Sequence, residues 1–489
     1  MTLKMWSIIM FFVFLAVMVY ISMLAAKKNM SSSKDLDEEF YLGGRSEGPI
    51  VLAFSYVTGS VSAAAFMGEP GVMSVVGWPY YWIVIAIIPG MIFPALLMMK
   101  KLRTESEKLG SLTIPQYLGQ HYKSDAIRII VALAICIFYI FPLVAQFKGA
   151  AILLESFTDI PFNIGIVIFT VFITIYCITG GLRSVVWTSV IQGIPMFFIA
   201  VLLVIVALNA VGGFDGIEAK LNETAPEMLR VIQPREVGAI FPIEGVIGVF
   251  VYWAMMFVAQ PYLCSRFMSV KDTKPKTIGV FLITTLVLTT VYNTLYLTGL
   301  AGRILYPDVP GDYITSQLAI DFLSPFLAAV MMIGIFGAMM STTQSMLLTI
   351  AQAVANDIYV ESVNPNASDK AIIRITRISI VLASIVCLIF TWLNPPEFLS
   401  IFLYLGLSGV GACIAVPLFA ALMWPKAKKE GAVASALVGP IAYVLFERVL
   451  KVNLWFSSFL AIIIGSLLLV GISKYIGSRE ERVDTAVVE

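Results

Sequence analysis

The sequence predicts an all-α, multi-pass membrane protein with about thirteen membrane-spanning helices. Its 489 residues are 59% hydrophobic and 13% charged, which is too little polar material to cover a water-soluble protein of this size. Apolar runs long enough to cross a bilayer follow one another along the whole chain. No segment between those runs is large enough to fold alone, so we expect one integral membrane domain over residues 1–489.

Hydropathy places the candidate spans in order along the chain. Their predicted limits are 5–26, 48–72, 78–99, 127–155, 162–180, 186–211, 241–264, 278–300, 322–356, 376–394, 398–423, 431–447 and 454–473. The first run is longer than the apolar core of a typical signal peptide, so a retained helix is preferred over a cleaved signal. The long connection 212–240 is predicted to be an external cap.

Lysine and arginine predict the orientation of the chain. With the N-terminus outside, 24 of the 32 Lys and Arg residues lie in cytoplasmic segments and 7 lie in external ones. Such an excess on one side is the positive-inside pattern. It favours an odd number of spans in the cell membrane and a cytoplasmic tail at 474–489.

The composition gives little support for catalysis or nucleic-acid binding. The chain has one His, and its five Cys lie far apart in apolar runs without metal-ligand spacing. The net charge of +1 gives no indication of a nucleic-acid partner. A long single chain without a soluble domain is typical of secondary transporters, so we expect a carrier and not an enzyme.

Two spans are interrupted in the sequence. The second reads FSYVTGSVSAAAFMGEPG (54–71), and the seventh reads WAMMFVAQPYLCSRF (253–267) with Gln260-Pro261 inside it. A break frees backbone carbonyls, and a membrane tolerates this where the break lines a cavity or is buried in protein. The alternative is that the small residues only allow close helix packing. Because these spans are five helices apart, we predict two inverted repeats, with the extra helices outside them. The predicted repeats are 48–211 and 241–423, and the extra helices are 5–26 and 431–473.

A group of hydroxyl residues lies at the centre of the uncharged ninth span, in FGAMMSTTQSM (336–346). Ala338, Ser341 and Thr342 fall on one helical face. Neutral oxygens suit a hard monovalent cation such as Na⁺, and the freed carbonyls of a broken helix would complement them. The alternative is that these hydroxyls bond to their own helix or join neighbouring helices.

Four stretches in the sequence resemble motifs of one transporter family. They are FYLGGRS (40–46), TGGLRSVVWTSVIQG (179–193), QPYLCSRFMSVKD (260–272) and WPKAKKEGAVASALVG (424–439). With these motifs the chain resembles the sodium:solute symporter family, which includes bacterial proline, pantothenate, sialic acid and galactose carriers. The resemblance implies a LeuT-type five-plus-five inverted-repeat core within thirteen spans, with the N-terminus outside.

The resemblance also implies a sodium site and no organic cofactor. By position in the family motif, its ligands are the carbonyls of Thr58, Val61 and Ala338 and the hydroxyls of Ser341 and Thr342. Some relatives hold a second sodium with an Asp where this chain has Ser189, so one sodium per cycle is expected. Proline carriers place an Asp where this chain has Ser60, which speaks against proline as the solute.

Substrate sites in this architecture lie beside the helix breaks. The candidates are Gly59, Ser60, Ser62, Ala63, Lys148, Tyr252, Trp253, Ala259 and Gln260. The aromatic members either contact a small solute or pack within the protein. An ionisable group at the depth of Lys148 suggests a partner for a substrate carboxylate. The alternatives are that its side chain reaches the outer interface or pairs with Glu69 or Glu244.

The sequence therefore predicts sodium-coupled uptake of a small organic solute by alternating access, with a monomer in membrane lipid as the functional unit. Resemblance of 38–54 and 147–155 to pantothenate-type carriers favours an organic acid or an amino-acid-like metabolite, such as a pantothenate-like monocarboxylate. A proton-coupled or uncoupled carrier of the same fold, or a nutrient sensor that binds without transport, remains the alternative.

Overall fold

The computed structural model describes residues 2–32, 42, 45–179, 182–236, 239–393 and 397–488. Most of the motif at 40–46 and two glycines of the motif at 179–193 therefore lie outside the described residues. The described chain is helical throughout, and its β-structure is limited to one isolated bridge between Glu47 and Val270.

Six spans form the N-terminal half of the chain. They are span 1 (Leu3–Ser32), span 2 (Pro49–Ser60 and Glu69–Val76, joined by the π-turn Ala64–Gly68), span 3 (Trp82–Leu109), span 4 (Asp125–Phe138 and Ile140–Thr158), span 5 (Phe162–Thr179) and span 6 (Leu182–Val211).

Seven spans form the C-terminal half of the chain. They are span 7 (Ile243–Ala259 and Pro261–Ser269), span 8 (Pro275–Asn293 and Leu297–Leu305), span 9 (Pro325–Gln352, continued by the π-helix Ala353–Val363), span 10 (Asp369–Leu393), span 11 (Leu399–Met423), span 12 (Lys429–Val444) and span 13 (Leu454–Val488).

Spans 2 and 7 are bent where the sequence predicted breaks. Within the described residues, 11 helices are long and apolar enough to cross a membrane alone, and two bent helix pairs bring the total to 13. The halves of span 2 meet at 58° and those of span 7 at 54°. The predicted fold class and the predicted number of spans are therefore confirmed.

The structure adds short helices that hydropathy did not predict. Three lie in connections: Ile114–Tyr122 between spans 3 and 4, Gly213–Thr224 in the predicted cap, and Ile314–Phe322 between spans 8 and 9. The helix of span 13 also continues to Val488, beyond the apolar stretch 454–473 that hydropathy predicted to cross the membrane. Hydropathy reports the apolar part of a helix and does not detect its polar continuation.

Burial separates the core spans from the lipid-facing ones. In the most apolar window of each helix, 83% of span 11 and 78% of span 9 is buried, against 17% of span 1. Lipid is as apolar as the side chains, so a helix that is buried on most of its circumference is held in position by packing against other helices. Spans 9 and 11 are thus central, and the two breaks lie against them.

Candidate functional site

The break in span 2 leaves backbone groups that other helices satisfy. The first helical half ends at Ser60, and the residue that follows it, Val61, has an extended backbone (φ −82°, ψ 111°). Beyond it, the Ala63 amide donates to Gln146 Oε1 of span 4 at 3.0 Å, and the Ala64 amide donates to Ser62 Oγ at 3.2 Å. The side chain of Gln146 therefore replaces an acceptor that the helix lost at the break.

The break in span 7 has nearly the same backbone shape. Gln260 joins the two halves with φ −84° and ψ 108°, and Pro261 begins the second half without an amide hydrogen to satisfy. The Gln260 side chain accepts from Tyr139 Oη at 3.1 Å and donates to the Leu407 carbonyl at 3.2 Å. This break is thus fixed to spans 4 and 11.

The hydroxyl face of span 9 meets the carbonyl end of span 2. Ser341 Oγ donates to the carbonyls of Thr58 and Ala338, both at 2.9 Å, and Thr342 Oγ1 donates to the Gly59 carbonyl at 3.0 Å. All five residues are buried. The structure therefore brings together five neutral oxygens from two helices, and four of them belong to predicted sodium ligands.

The oxygens of this cluster fit a bound Na⁺ better than a divalent ion. They are neutral carbonyl and hydroxyl groups, and no group of three or more His, Cys, Asp or Glu residues suited to a metal occurs in the described part of the chain. A hydroxyl that now donates to a carbonyl can rotate and turn a lone pair toward a cation. The fifth predicted ligand, Val61, is the extended residue that follows the same helical half.

A buried arginine next to this cluster connects both broken spans with span 9. Arg266 of span 7 donates through Nε to Ser55 Oγ at 3.2 Å and through Nη2 to Ser345 Oγ at 2.9 Å. Ser345 in turn donates to the Ser341 carbonyl at 2.8 Å. The guanidinium thus holds the helices that form the hydroxyl cluster in fixed positions.

A cavity of about 40 Å³ lies between the two breaks. A water molecule needs at least about 10–15 Å³ measured in this way, so the cavity holds roughly three waters or a compact chemical group. Among the residues that line it are Ser60, Ser62, Glu69, Trp253, Gln260, Asn293, Tyr296 and Tyr404. Polar and aromatic side chains together are typical of small-solute sites.

Tight packing closes the predicted outer end of the cavity. A Cβ atom added at Gly71 of span 2 would lie 2.7 Å from the Gly311 backbone, and one at Gly68 would lie 2.8 Å from the Ser400 amide nitrogen. Thr315 Oγ1 also donates to the Phe66 carbonyl at 2.6 Å. The half of span 2 that follows the break is therefore covered by segment 311–322 and by the start of span 11.

An ion pair joins segment 311–322 to span 4. Lys148 Nζ lies 2.7 Å from Asp312 Oδ2 and donates to the Glu397 carbonyl at 3.0 Å. Both side chains are buried. Burial raises the pKa of Asp312, and the neighbouring Lys148 ammonium opposes that shift.

The predicted substrate residues separate into two groups. Ser60, Ser62, Trp253 and Gln260 line the cavity. Five others do not: Gly59, Ala63, Lys148, Tyr252 and Ala259. Tyr252 packs against Trp455 and Tyr404, with ring centroids 4.8 Å and 5.8 Å away.

Lys148 does not meet either partner that the sequence suggested. Its ion pair is with Asp312, whereas Glu244 accepts from Arg235 at 3.0 Å. The alternative of pairing was right in kind and wrong in partner, because Asp312 belongs to a connection between spans, which hydropathy treats as exposed.

The acidic residue Glu69 is a cavity residue that the sequence analysis did not propose. Tyr80 Oη donates to its Oε2 at 2.5 Å, and Tyr404 Oη donates to its Oε1. A carboxylate inside an apolar span is itself a signal of function, and it identifies Glu69 in the sequence. Its two tyrosine partners carry no such signal: Tyr80 lies 11 positions along the chain from Glu69, and Tyr404 lies 335 positions away.

Comparison with known proteins places the chain in a family. The model of the sodium:solute symporter family matches residues 40–439. The high-affinity proline transporter PutP of Bacillus subtilis is 29% identical over 422 residues, covering 84% of this chain and 86% of that protein. The sodium/pantothenate symporter of Escherichia coli is 28% identical over 472 residues, covering 95% of each.

Solved structures support the same fold. The substrate-bound, outward-open structure of a Na⁺-coupled sialic acid symporter aligns with a TM-score of 0.79 and 18% identity, covering 96% of this chain and 98% of that one. Mhp1, a nucleobase–cation symporter, aligns in a closed conformation with a TM-score of 0.52 and 14% identity, covering 89% and 94%. The protein thus has a LeuT-type fold and is a transporter, not an enzyme. The chain belongs to the sodium:solute symporter family, and it is a sodium-coupled symporter of a small solute.

Proposed function

We propose that the protein takes up an organic acid or an amino-acid-like metabolite together with one Na⁺ per transport cycle. The observation that carries the proposal is the contact of Ser341 and Thr342 with the carbonyls of Thr58 and Gly59. This contact joins the continuous helix of span 9 to the end of the first half of span 2, where that span is broken. A cation bound there would strengthen the junction of two helices that must move relative to each other during alternating access.

The proposed sodium ligands are the carbonyls of Thr58, Val61 and Ala338 and the hydroxyls of Ser341 and Thr342. The Gly59 carbonyl is added to this set, because Thr342 Oγ1 lies 3.0 Å from it. Binding an ion would turn both hydroxyls away from the carbonyls that they now contact. Each hydroxyl then exchanges a hydrogen bond for a contact with a positive charge.

One sodium per cycle is supported by the surroundings of Ser189 in span 6. Its Oγ donates to the Val185 carbonyl of its own helix at 2.6 Å, and the residue is buried. At this position a second cation would find a neutral hydroxyl and no carboxylate. Ser189 therefore offers little to a second ion.

We further propose that the N-terminus lies outside the cell membrane and the C-terminus inside, with a monomer in lipid sufficient for transport. The distribution of Lys and Arg supports this orientation. The nearly equal backbone angles of Val61 and Gln260 support inverted repeats at 48–211 and 241–423. With this orientation, a membrane potential of 100 mV adds about 2.3 kcal/mol to the uptake of each Na⁺.

The test is uptake into liposomes that contain the purified full chain. Labelled organic acids, amino acids and sugars are offered with and without an inward Na⁺ gradient. Accumulation that requires the gradient supports the proposal. Uptake that is indifferent to Na⁺ would favour a proton-coupled or uncoupled carrier, and saturable binding without uptake would favour a sensor.

A further inference from the structure

A single carboxylate lies buried at the outer side of the cavity, within span 2. Glu69 is 1% exposed and lines the cavity. Both of its oxygens accept hydrogen bonds from tyrosine hydroxyls, those of Tyr80 and Tyr404. Tyrosine hydroxyls in these positions can donate to both oxygens of an ionised carboxylate.

The buried charge of Glu69 has no cationic partner. In the described part of the chain, no Lys, Arg or His forms an ion pair with it. The charged group that acts on it is Asp312, which has the same sign, and the ammonium of Lys148 is bound to Asp312. Burying a carboxylate without a cationic partner is costly, and two neutral hydrogen bonds offset only part of this cost.

Aromatic rings surround the same space. The cavity lining includes Trp253, Tyr296 and Tyr404, and the ring centroids of Trp253 and Tyr404 lie 5.6 Å apart. Rings of Trp and Tyr attract cations through their faces. A carboxylate beside such rings has the chemistry of an ammonium site.

The remaining polar groups of the cavity suit an anion. Trp253 Nε1 is a buried donor without a hydrogen-bond partner in the described structure. The amide of Asn293 also lines the cavity. A solute with an ammonium at one end and a carboxylate at the other would match both sets of groups.

We propose that Glu69 binds the positively charged nitrogen of the transported solute, which is therefore an amino acid or a betaine and not a nitrogen-free or amide-containing monocarboxylate. This inference rests on the proposed function, because it names the chemical class of the solute that accompanies sodium.

The experiment compares solutes that differ in the charged nitrogen alone. The thermal stability of the purified full chain is measured in NaCl and in KCl with L-proline against cyclopentanecarboxylate, L-alanine against propanoate, the other proteinogenic amino acids, glycine betaine and pantothenate. We expect stabilisation by at least one nitrogen-charged solute and none by its carbon analogue. In Glu69→Gln, the half-saturating concentration of that solute should rise at least about tenfold, which is 1.4 kcal/mol.

Matched variants separate binding from folding. Glu155→Gln is the control, since Glu155 accepts from Tyr313 Oη at 2.9 Å on the outer side but does not line the cavity. Its response to solute should equal that of the wild type. Glu69→Asp keeps the charge and should retain part of the affinity that Glu69→Gln loses. Stabilisation by NaCl alone should persist in all three variants, which also verifies that they are folded.

Several results would overturn the inference about Glu69. It fails if no nitrogen-charged solute stabilises the protein, if a carbon analogue or pantothenate acts equally well, or if Glu69→Gln leaves the affinity unchanged. It also fails if an inward proton gradient drives uptake that Glu69→Gln abolishes, because Glu69 would then carry a proton. In contrast, the wild type could discriminate between the paired solutes equally well in NaCl and in KCl. That result would contradict the proposed sodium coupling and leave the inference about Glu69 intact.

Discussion

The two helix breaks have the same backbone shape but different partners. Val61 and Gln260 adopt φ and ψ values within a few degrees of each other, and both spans bend by more than 50°. In span 7, the side chain at the break is fixed by Tyr139 and by the Leu407 carbonyl. In span 2, the carbonyls that precede the break receive hydroxyl hydrogens that can rotate away. The break in span 2 is therefore suited to binding an ion. The break in span 7 is suited to keeping spans 4, 7 and 11 in fixed positions.

The sequences at the breaks account for this difference. Span 7 has a proline at the first position of its second half, so the break needs no extra acceptor there. Span 2 has alanine and serine instead, and the Ala63 amide needs Gln146 of span 4. The first break thus depends on a neighbouring helix at its amide side and presents its carbonyl side to span 9. A substitution that disturbs either the amide side or the carbonyl side of this break should therefore change the affinity for sodium.

The largest expected effect is at the hydroxyls of span 9. Ser341→Ala with Thr342→Ala removes two proposed ligands, each worth about 1.5 kcal/mol or more to a charged partner, so sodium affinity should fall roughly a hundredfold. The measurement is the sodium dependence of solute uptake in liposomes. Thr343→Ala is the control, because Thr343 is buried on the same helix and donates to the Met339 carbonyl at 2.7 Å. If the double variant kept the sodium affinity of the wild type, the proposed sodium site would be wrong.

The next effect tests the amide side of the same break. Gln146→Leu keeps the volume but leaves the Ala63 amide without its acceptor, at a cost of about 1–3 kcal/mol. Because this amide closes the break that positions the ligands, we expect sodium affinity to fall on the order of tenfold, equivalent to 1.4 kcal/mol. A sodium titration of thermal stability measures it. An affinity within twofold of the wild type would show that the ligands are positioned without Gln146.

The corresponding change in span 7 should affect stability and spare sodium. Gln260→Leu leaves the Tyr139 hydroxyl and the Leu407 carbonyl without their partner, which should cost about 1–3 kcal/mol of unfolding free energy. Sodium affinity should stay within twofold, since neither group touches the hydroxyl cluster. Thermal unfolding and a sodium titration of the same sample give both values. A loss of sodium affinity as large as in Gln146→Leu would erase the distinction between the two breaks.

The sequence was sufficient for features that depend on local composition. The bends of spans 2 and 7 and the common face of Ser341 and Thr342 follow from residues that are adjacent or one helical turn apart. The contact between that face and span 2 was predicted from the family resemblance. In the structure, Ser341 Oγ lies 2.9 Å from the Thr58 carbonyl oxygen.

The partners of the buried charges could not be predicted in this way. Lys148 and Asp312 are 164 positions apart, and Glu69 and Tyr404 are 335 positions apart. A single sequence shows that such charges are costly in a membrane but does not show which distant group offsets the cost. Asp312 was missed for the further reason that it lies in a connection between spans, which hydropathy treats as exposed.

The smallest expected effect concerns the proposed count of one sodium per cycle. Ser189→Ala removes a hydroxyl that donates to the Val185 carbonyl of its own helix. A hydrogen bond of this kind contributes about 0.5–1.5 kcal/mol to stability at most, and no ion contact should be lost with it. We therefore expect an unchanged sodium affinity and a Hill coefficient near one for sodium-dependent uptake in both proteins. A Hill coefficient near two in the wild type that falls to one in Ser189→Ala would establish a second ion beside span 6. The hydroxyl cluster of span 9 would then be one of two sites that drive transport.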